Sequence, residues 1–544
     1  MEIRDRLGPI IVWGAGITSL LVTPFFSYDP INAPRFTVLL VFGLMAFFLL
    51  LGIGKFLLAP KYRVVVSASI LFIAWALVAT LISGVNLTEG LFGVTGRQTG
   101  LLAYFALNTL MISAVISSAA KLNRKLVLAL VSVGVLSGLY GVLQSFGKDP
   151  FDWINPYSPV FGFFGNPNFQ ASFMGMAAVA AVAMSLESSV KLQSRIGLFI
   201  LVVLALFNIY ESKSQQGYLV FIAGVAVVGY MFVRGNEKLK KFTPLYLVAS
   251  LLGFVAVVLD ILQKSPWSSI LYKESVTFRG DFWRAGWKMT LDNPVFGVGL
   301  DGYRDHYRAS RDVVTAFRPG SDAMTDSAHN VFLDISSGGG FPLLIIHIFL
   351  IGLTIFSAIK VIRRSSGFDV GFAGVLGAWV AYLAQSLISI NQLGLAVWGW
   401  VLMGVIIGYE INTREKIEVI RVKPVYSAIA IGMGLIIGLG VGLPLMVADA
   451  SFRSTVKAGD VIKIEASVRQ WPQSVTRMTL AAQILREGNL PDRSIVIARE
   501  AVAFNPMNFE AWKELSLQPN ATEQERAEVL ANMKKLDPFN PNLK

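Results

Sequence analysis

The chain of 544 residues is 54% hydrophobic and only 15% charged, with a net charge of +12 and no cysteine. That balance, with a mean hydropathy of +0.59, excludes a soluble globular fold. The missing thiols exclude disulfides, thiolate metal sites and cysteine catalysis.

Thirteen apolar runs follow one another, at about 8–26, 37–58, 64–86, 99–120, 126–145, 168–187, 196–211, 217–233, 244–262, 335–361, 369–388, 394–411 and 426–447. A bilayer crossing needs about 20 such residues. The runs do not alternate as barrel strands would, so the expected fold is all-α, a polytopic membrane bundle. The first run, in "MEIRDRLGPIIVWGAG", lacks a small-residue cleavage site and reads as a retained span. With the N-terminus placed in the cytoplasm, the inner loops and flanks hold 21 Lys and Arg residues. The short outer loops hold four: Arg35, Arg97, Lys148 and Lys213. This asymmetry predicts a multi-pass plasma-membrane protein and accounts for the charge through lipid contact, without nucleic acid.

Two outer segments are long. The loop at about 263–336 carries nine Lys/Arg and nine Asp/Glu, with six aromatic residues before Asn293. Its aromatic content predicts amphipathic helices at the membrane surface. The tail, 448–544, is charged and helix-patterned, and the membrane domain is taken as 1–447. Pro472, Pro506 and Pro538 recur at intervals of 34 and 32 residues, and the two helical patterns between the first pair break at Gly488. That period is tetratricopeptide-like and predicts an extracytoplasmic helical domain able to receive a protein partner. The tail shows no catalytic constellation, so an auxiliary role is expected.

The span centres are almost uncharged; Glu187, Asp260 and Glu410 fall near predicted ends. An ion-coupled transporter usually needs an ionisable group within the bilayer. The conspicuous polar residues lie on the outer face instead. Arg97 stands in "FGVTGRQTGLLAY", where the alternative is an interfacial arginine reaching headgroups. "GNPNFQASF" is a turn before a helix, with Asn168 as its expected cap. Lys213 and Gln216 occupy the very short loop "ESKSQQGYLVF". In "TFRGDFWRAGWKMTLDNPVFGVGLDGY", Arg279 precedes Trp283 and Arg284, which share helical spacing with Trp287 and Lys288; an interfacial helix would look the same. Last comes "TDSAHNVFLDISSGGG", with His329 and Asn330 at the mouth of the tenth run. Asn330 is placed to start a helix, and the glycines allow close approach of a neighbour. The alternative for His329 is a capping or interfacial histidine. His306 and His347 receive no role.

A basic outer cluster with one histidine and no metal-ligand set suits a lipid-linked phosphate, and calls for no cofactor. Arginine grips phosphate oxygens with fixed donors. Positioned cations stabilise a leaving pyrophosphate. A histidine can take the proton of an attacking hydroxyl.

At this point the chain resembles the bacterial O-antigen ligase and polymerase superfamily, over roughly residues 10–445. The resemblance rests on "RGDFWRAGWKMTLDNPVFGVGLDGY" followed by "HNVFLDISSGGGFP", with "YGVLQSFGKDP", "GNPNFQASF" and "GRQTGLLAY" in support. It implies metal-independent, inverting transfer of a glycan from an undecaprenyl (pyro)phosphate carrier to a lipid, glycan or protein acceptor. His329 matches the position of a base or acceptor-orienting residue, and Arg279 that of a phosphate-binding arginine. Two features depart from the pattern. Gln216 stands where ligases carry an arginine, with Lys213 as a nearby substitute, and the motif after Gly340 ends at Leu343. Ligase and polymerase therefore both stay open. A lipid-linked oligosaccharide flippase would want internal repeats and a charged central cavity. A non-catalytic scaffold would not need Arg279 and His329 on one face.

Overall fold

A computed structural model describes residues 2–151, 153, 160–264, 274–318, 320–414 and 419–543. The chain is 76% helical, with no strand among the described residues. A helix occupies each of the thirteen expected runs, from Arg4–Leu20 to Pro424–Ala458. Among the described residues nine helices are long and apolar enough to cross a membrane, and Leu101–Ser117 and Val370–Ser386 are shorter apolar helices. The protein is a polytopic helical membrane protein.

Leu393–Arg414 is the axis of the bundle, with 94% of its apolar window buried. Leu101–Ser117, Val331–Arg364, Val370–Ser386 and Arg4–Leu20 surround it. In lipid there is no hydrophobic drive between helices, so close backbone packing holds them. Helix Pro424–Ala458 shows how: Gly434, Gly438 and Gly442 form a ridge at intervals of four residues. A Cβ on Gly434 would stand 2.4 Å from the Met45 backbone, and one on Gly438 2.7 Å from Cα of Val41. The Thr37 hydroxyl donates to the Gly442 carbonyl at 3.0 Å. Arg35, expected in a loop, lies buried inside helix Asn32–Leu51. Its guanidinium donates to the carbonyls of Ser19 at 2.7 Å and Phe163 at 2.6 Å, tying three segments together.

Helix Val331–Arg364 is broken at Gly340, where φ is +70°. The turn Pro294–Gly299 enters the break. Phe341 N–H donates to the Pro294 carbonyl at 2.8 Å, and Val298 N–H to Ser337 at 2.7 Å. A Cβ on Gly340 would meet the Val295 oxygen at 2.2 Å, and one on Gly297 the Ser337 oxygen at 2.4 Å. The spacing "NPVFGVG … SGGG" is therefore a backbone-to-backbone joint, which the sequence shows as glycine content but not as a helix break.

The long loop folds as helices Glu274–Asp292, Tyr303–Ser310 and Val313–Phe317. Ala285 and Met289, four residues apart, pack with Val298, Tyr303, Tyr307 and Ala328 in a small core of their own. The tail begins without interruption, because helix Pro424–Ala458 runs through the expected boundary at 447/448. Five further helices follow, from Val461–Val468 to Glu523–Leu536, around Phe452, Met478, Ala498, Trp512 and Met533. This tail docks on the loop. Asp537, itself buried, accepts from Arg308 at 3.1 Å and from Arg311 at 2.8 Å. Asn505 donates to Glu89 at 2.8 Å and Asp305 at 2.7 Å.

Candidate functional site

Six residues, Thr325–Asn330, lead into the broken helix and set its histidine. Asn330 is the N-cap: its side chain accepts from the amides of Phe332 and Leu333 at 3.0 and 3.1 Å. Its amide nitrogen reaches the Leu387 carbonyl at 2.9 Å. Asp334, one turn into the helix, accepts from Ala328 N–H at 2.7 Å. Ser327 accepts from His329 N–H at 3.1 Å. These bonds hold His329 at φ +53°, a left-handed conformation that few non-glycine residues adopt. Such backbone outliers persist only where the surroundings over-determine them. The imidazole lies 5.6 Å from the Phe282 ring of the loop helix, tilted by 30°. Among the described residues its ring nitrogens have no hydrogen-bond partner.

Two arginines flank this corner. Arg97 is buried and pairs with Asp326 at 3.5 Å, while its Nε has no partner among the described residues. Burial works against its charge, but Asp326, Asp334 and Asp301 outweigh burial and hold the guanidinium above its ordinary pKa. Asp301 also fixes the turn that presents Arg97, accepting from Val94 N–H at 3.1 Å, Thr99 N–H at 3.0 Å and the Thr99 hydroxyl. On its other side the turn touches the tail: the Thr95 and Ser474 hydroxyls are 2.6 Å apart, and Phe92 meets Trp471 edge-on at 5.1 Å. Arg279, on the loop helix, has no carboxylate partner among the described residues, and burial lowers its pKa. Burial, then the charges of Arg97 and Arg279, drive His329 down to about 4 against the opposing pull of Asp326. The histidine is therefore neutral at pH 7, with a lone pair available.

The other expected residues sit around this corner in different ways. Trp283 packs into the loop core, its indole nitrogen buried and without a partner among the described residues. Arg284 is largely exposed and engaged, donating to Asp281 at 2.6 Å and Asp312 at 3.0 Å. Gln216 is buried and donates to the Ser172 hydroxyl at 2.8 Å. Lys213 is exposed, its ammonium 5.7 Å from the Tyr210 ring. Helix Pro167–Ser185 is capped by Asn166, whose side chain accepts from Asn168 N–H at 2.9 Å, not by Asn168 as expected. Asn168 instead accepts from Ser214 at 2.7 Å. The structure thus joins Arg97, Arg279 and His329 in one electrostatic unit and sets Lys213 and Gln216 on a neighbouring helix pair. Asp301, Asp326 and Asp334 went unread in the sequence. Their one signal is the even count of acids and bases in the long loop.

Residues 200–348 match the family model described as O-antigen ligase. This stretch, about a quarter of the chain, is similar to the O-antigen ligase domain. The matched stretch contains Lys213, Gln216, Arg279, Trp283, Arg284, His329 and Asn330, and it ends inside the broken helix. Arg97 and the tail lie outside it. No curated protein matches the chain. The similarity of this stretch to O-antigen ligases suggests glycosyl transfer in general terms.

Proposed function

We propose that the protein transfers a glycan from an undecaprenyl (pyro)phosphate carrier to an acceptor hydroxyl or amine on the outer face of the plasma membrane. The N-terminus is then cytoplasmic, and the tail, read as a tetratricopeptide-like domain, is extracytoplasmic. One observation carries this reading: a neutral histidine whose ring nitrogens have no partner among the described residues stands beside two arginines that the described carboxylates do not fully satisfy, and His329 and Arg279 lie inside the O-antigen ligase match. Arg279 and Arg97 bind phosphate oxygens. The acceptor oxygen attacks the anomeric carbon, and His329 takes its proton. The bond from that carbon to the phosphate oxygen breaks, and the electron pair leaves with the carrier phosphate. The arginines stabilise the charge that develops there, and the loop core keeps Phe282 against the imidazole so that the base stays in place.

Gln216 in the position of the family's arginine favours a second acceptor class, the growing glycan of a polymerase. The test is chemical. Cells lacking the protein should accumulate the lipid-linked glycan, and the wild-type gene should clear it. Absence of any accumulated lipid-linked glycan overturns the reading. The length of the glycan that is transferred, one unit or many, separates ligase from polymerase.

A further inference from the structure

Arg97 borders two cavities. On one side is the narrow acidic cleft with Asp301, Asp326 and Asp334. On the other is a wider cavity of about 200 Å3 that the chemistry above does not use. Its lining includes Asn32, Asn166 and Gln392, the Phe164 and Phe169 rings, and Arg97 as the sole charged side chain among the residues that line it. A water in the liquid occupies about 30 Å3, so the space corresponds to roughly seven waters, about what one pyranose ring displaces.

The chemistry of the walls suits such a ring. Amide side chains offer a donor and an acceptor each, a match for neighbouring hydroxyls. Phenyl faces suit the C–H side of a sugar. Much of this wall is fixed in advance. Phe164 stacks on Phe173 at 4.7 Å and lies under the Arg35 guanidinium at 5.1 Å. Asn32 donates to the Gly96 carbonyl at 2.8 Å. The Asn166 oxygen is used as a helix cap, and the Gln392 oxygen accepts from Leu395 N–H at 3.2 Å. What is left over points outward from the protein's own bonding. Gln392 Nε2 and Arg97 Nε are buried without a partner among the described residues. Buried donors in this state are rare and call for an explanation.

We infer that this cavity is a subsite for one uncharged sugar ring, the ring adjoining the phosphate that Arg97 holds. The inference rests on the glycan-transfer reading and goes beyond it by assigning Gln392 and Asn166 as residues that set donor specificity. A cavity this small grips a single ring and leaves the rest of the glycan outside. The enzyme then reads the sugar next to the carrier and tolerates variation further along the chain.

The test compares two probes on purified full-length protein: a polyprenyl pyrophosphate bearing one neutral monosaccharide, taken from glucose, galactose, N-acetylglucosamine and N-acetylgalactosamine, and the same lipid without sugar. Wild type should bind at least one sugar-bearing lipid more tightly than the bare lipid. Gln392→Glu and Asn166→Asp keep the two capping oxygens and remove the amide donors. Each should cut that preference, read as the ratio of the two affinities, roughly tenfold, the worth of one or two hydrogen bonds, while leaving the acceptor KM unchanged; a carboxylate near Arg97 weakens both lipids through their shared pyrophosphate, so the ratio and not either affinity is the readout. Equal binding of sugar-bearing and bare lipids by wild type sinks the subsite and leaves the transfer reading standing if lipid-linked glycan still accumulates in deletion cells. A preference that survives both variants, or a change in acceptor KM instead, also overturns it. If wild type binds neither lipid, both readings fail together.

Discussion

The long loop and the turn of Arg97 beside it hold arginines in two opposite settings. Arg304, Arg308 and Arg311 are buried and each donates to a carboxylate at 3.0 Å or less. Arg304 donates to Asp305 at 3.0 Å, Arg308 to Glu510 at 2.7 Å, and Arg311 to both Asp537 oxygens at 2.9 and 2.8 Å. Arg97 and Arg279 have one carboxylate contact of 3.5 Å between them among the described residues. A buried ion pair is weak as a source of stability but costly to break, because one partner is left charged and dry. The first group therefore reads as a joint that fixes the tail. The second reads as a place where charge is kept available for something outside the chain.

The contrast is broken most directly at His329. General-base catalysis supplies about 10²–10⁴-fold in rate, so His329→Ala should lose transfer by that order in a single-turnover assay. Its thermal unfolding should stay near wild type, since the ring makes no hydrogen bond with the described residues. A folded variant that transfers at the wild-type rate removes the base. Next comes the joint. Asp537→Ala leaves Arg308 and Arg311 short of a buried partner and should cost about 3–5 kcal/mol, seen as a lower Tm and faster tryptic release of the tail. An unchanged tail would show that the two settings do not differ.

Arg279→Ala should raise the donor KM or lower kcat/KM by the worth of a charged hydrogen bond, about 1.5–3 kcal/mol. Lysine lacks the fixed fork of donors, so Arg279→Lys should recover only part of this. Unaltered donor affinity in Arg279→Ala would move phosphate binding elsewhere. The pH profile sharpens the comparison further. With His329 at about 4, the wild-type rate should be flat from pH 6 to 8 and fall only as the pH drops toward 4. Arg97→Gln removes a positive neighbour, so the acid limb should move to higher pH. The sign for stability is the same. Below pH 6.5 the unfolded chain binds the proton that the folded histidine refuses, and the stability contributed by this group is lost as pH falls to about 4. The smallest effect is expected at Arg284, which is exposed and paired. Arg284→Ala should shift stability by about 0–1 kcal/mol and leave donor binding alone.

Much of the fold was legible. Thirteen apolar runs became thirteen helices because hydropathy over about 20 residues decides a membrane span with little help from tertiary context. Asn330 as a helix start was legible for a local reason, since a capping bond reaches only two or three residues. His329 and the Arg279 block were legible as a pattern. The partners of Arg97 were not, because Asp301 and Asp326 lie more than two hundred residues along the chain, and nothing local separates them from solvated charges. The docking of the tail was not legible for the same reason. Its acids look like surface residues of a helical domain until Glu510 and Asp537 are seen against the buried Arg308 and Arg311.

That joint also imposes an order on assembly. Asn505 lies 200 residues beyond Asp305, and Asp537 226 beyond Arg311. Chains emerge at about 5–20 residues per second, so the loop waits on the order of tens of seconds for its partners. During that interval the turn carrying Arg97 lacks its contacts with Trp471 and Ser474. The turn that presents Arg97 is completed only when residues 471 to 474 have been made, well after Arg97, Arg279 and His329 are all in the chain.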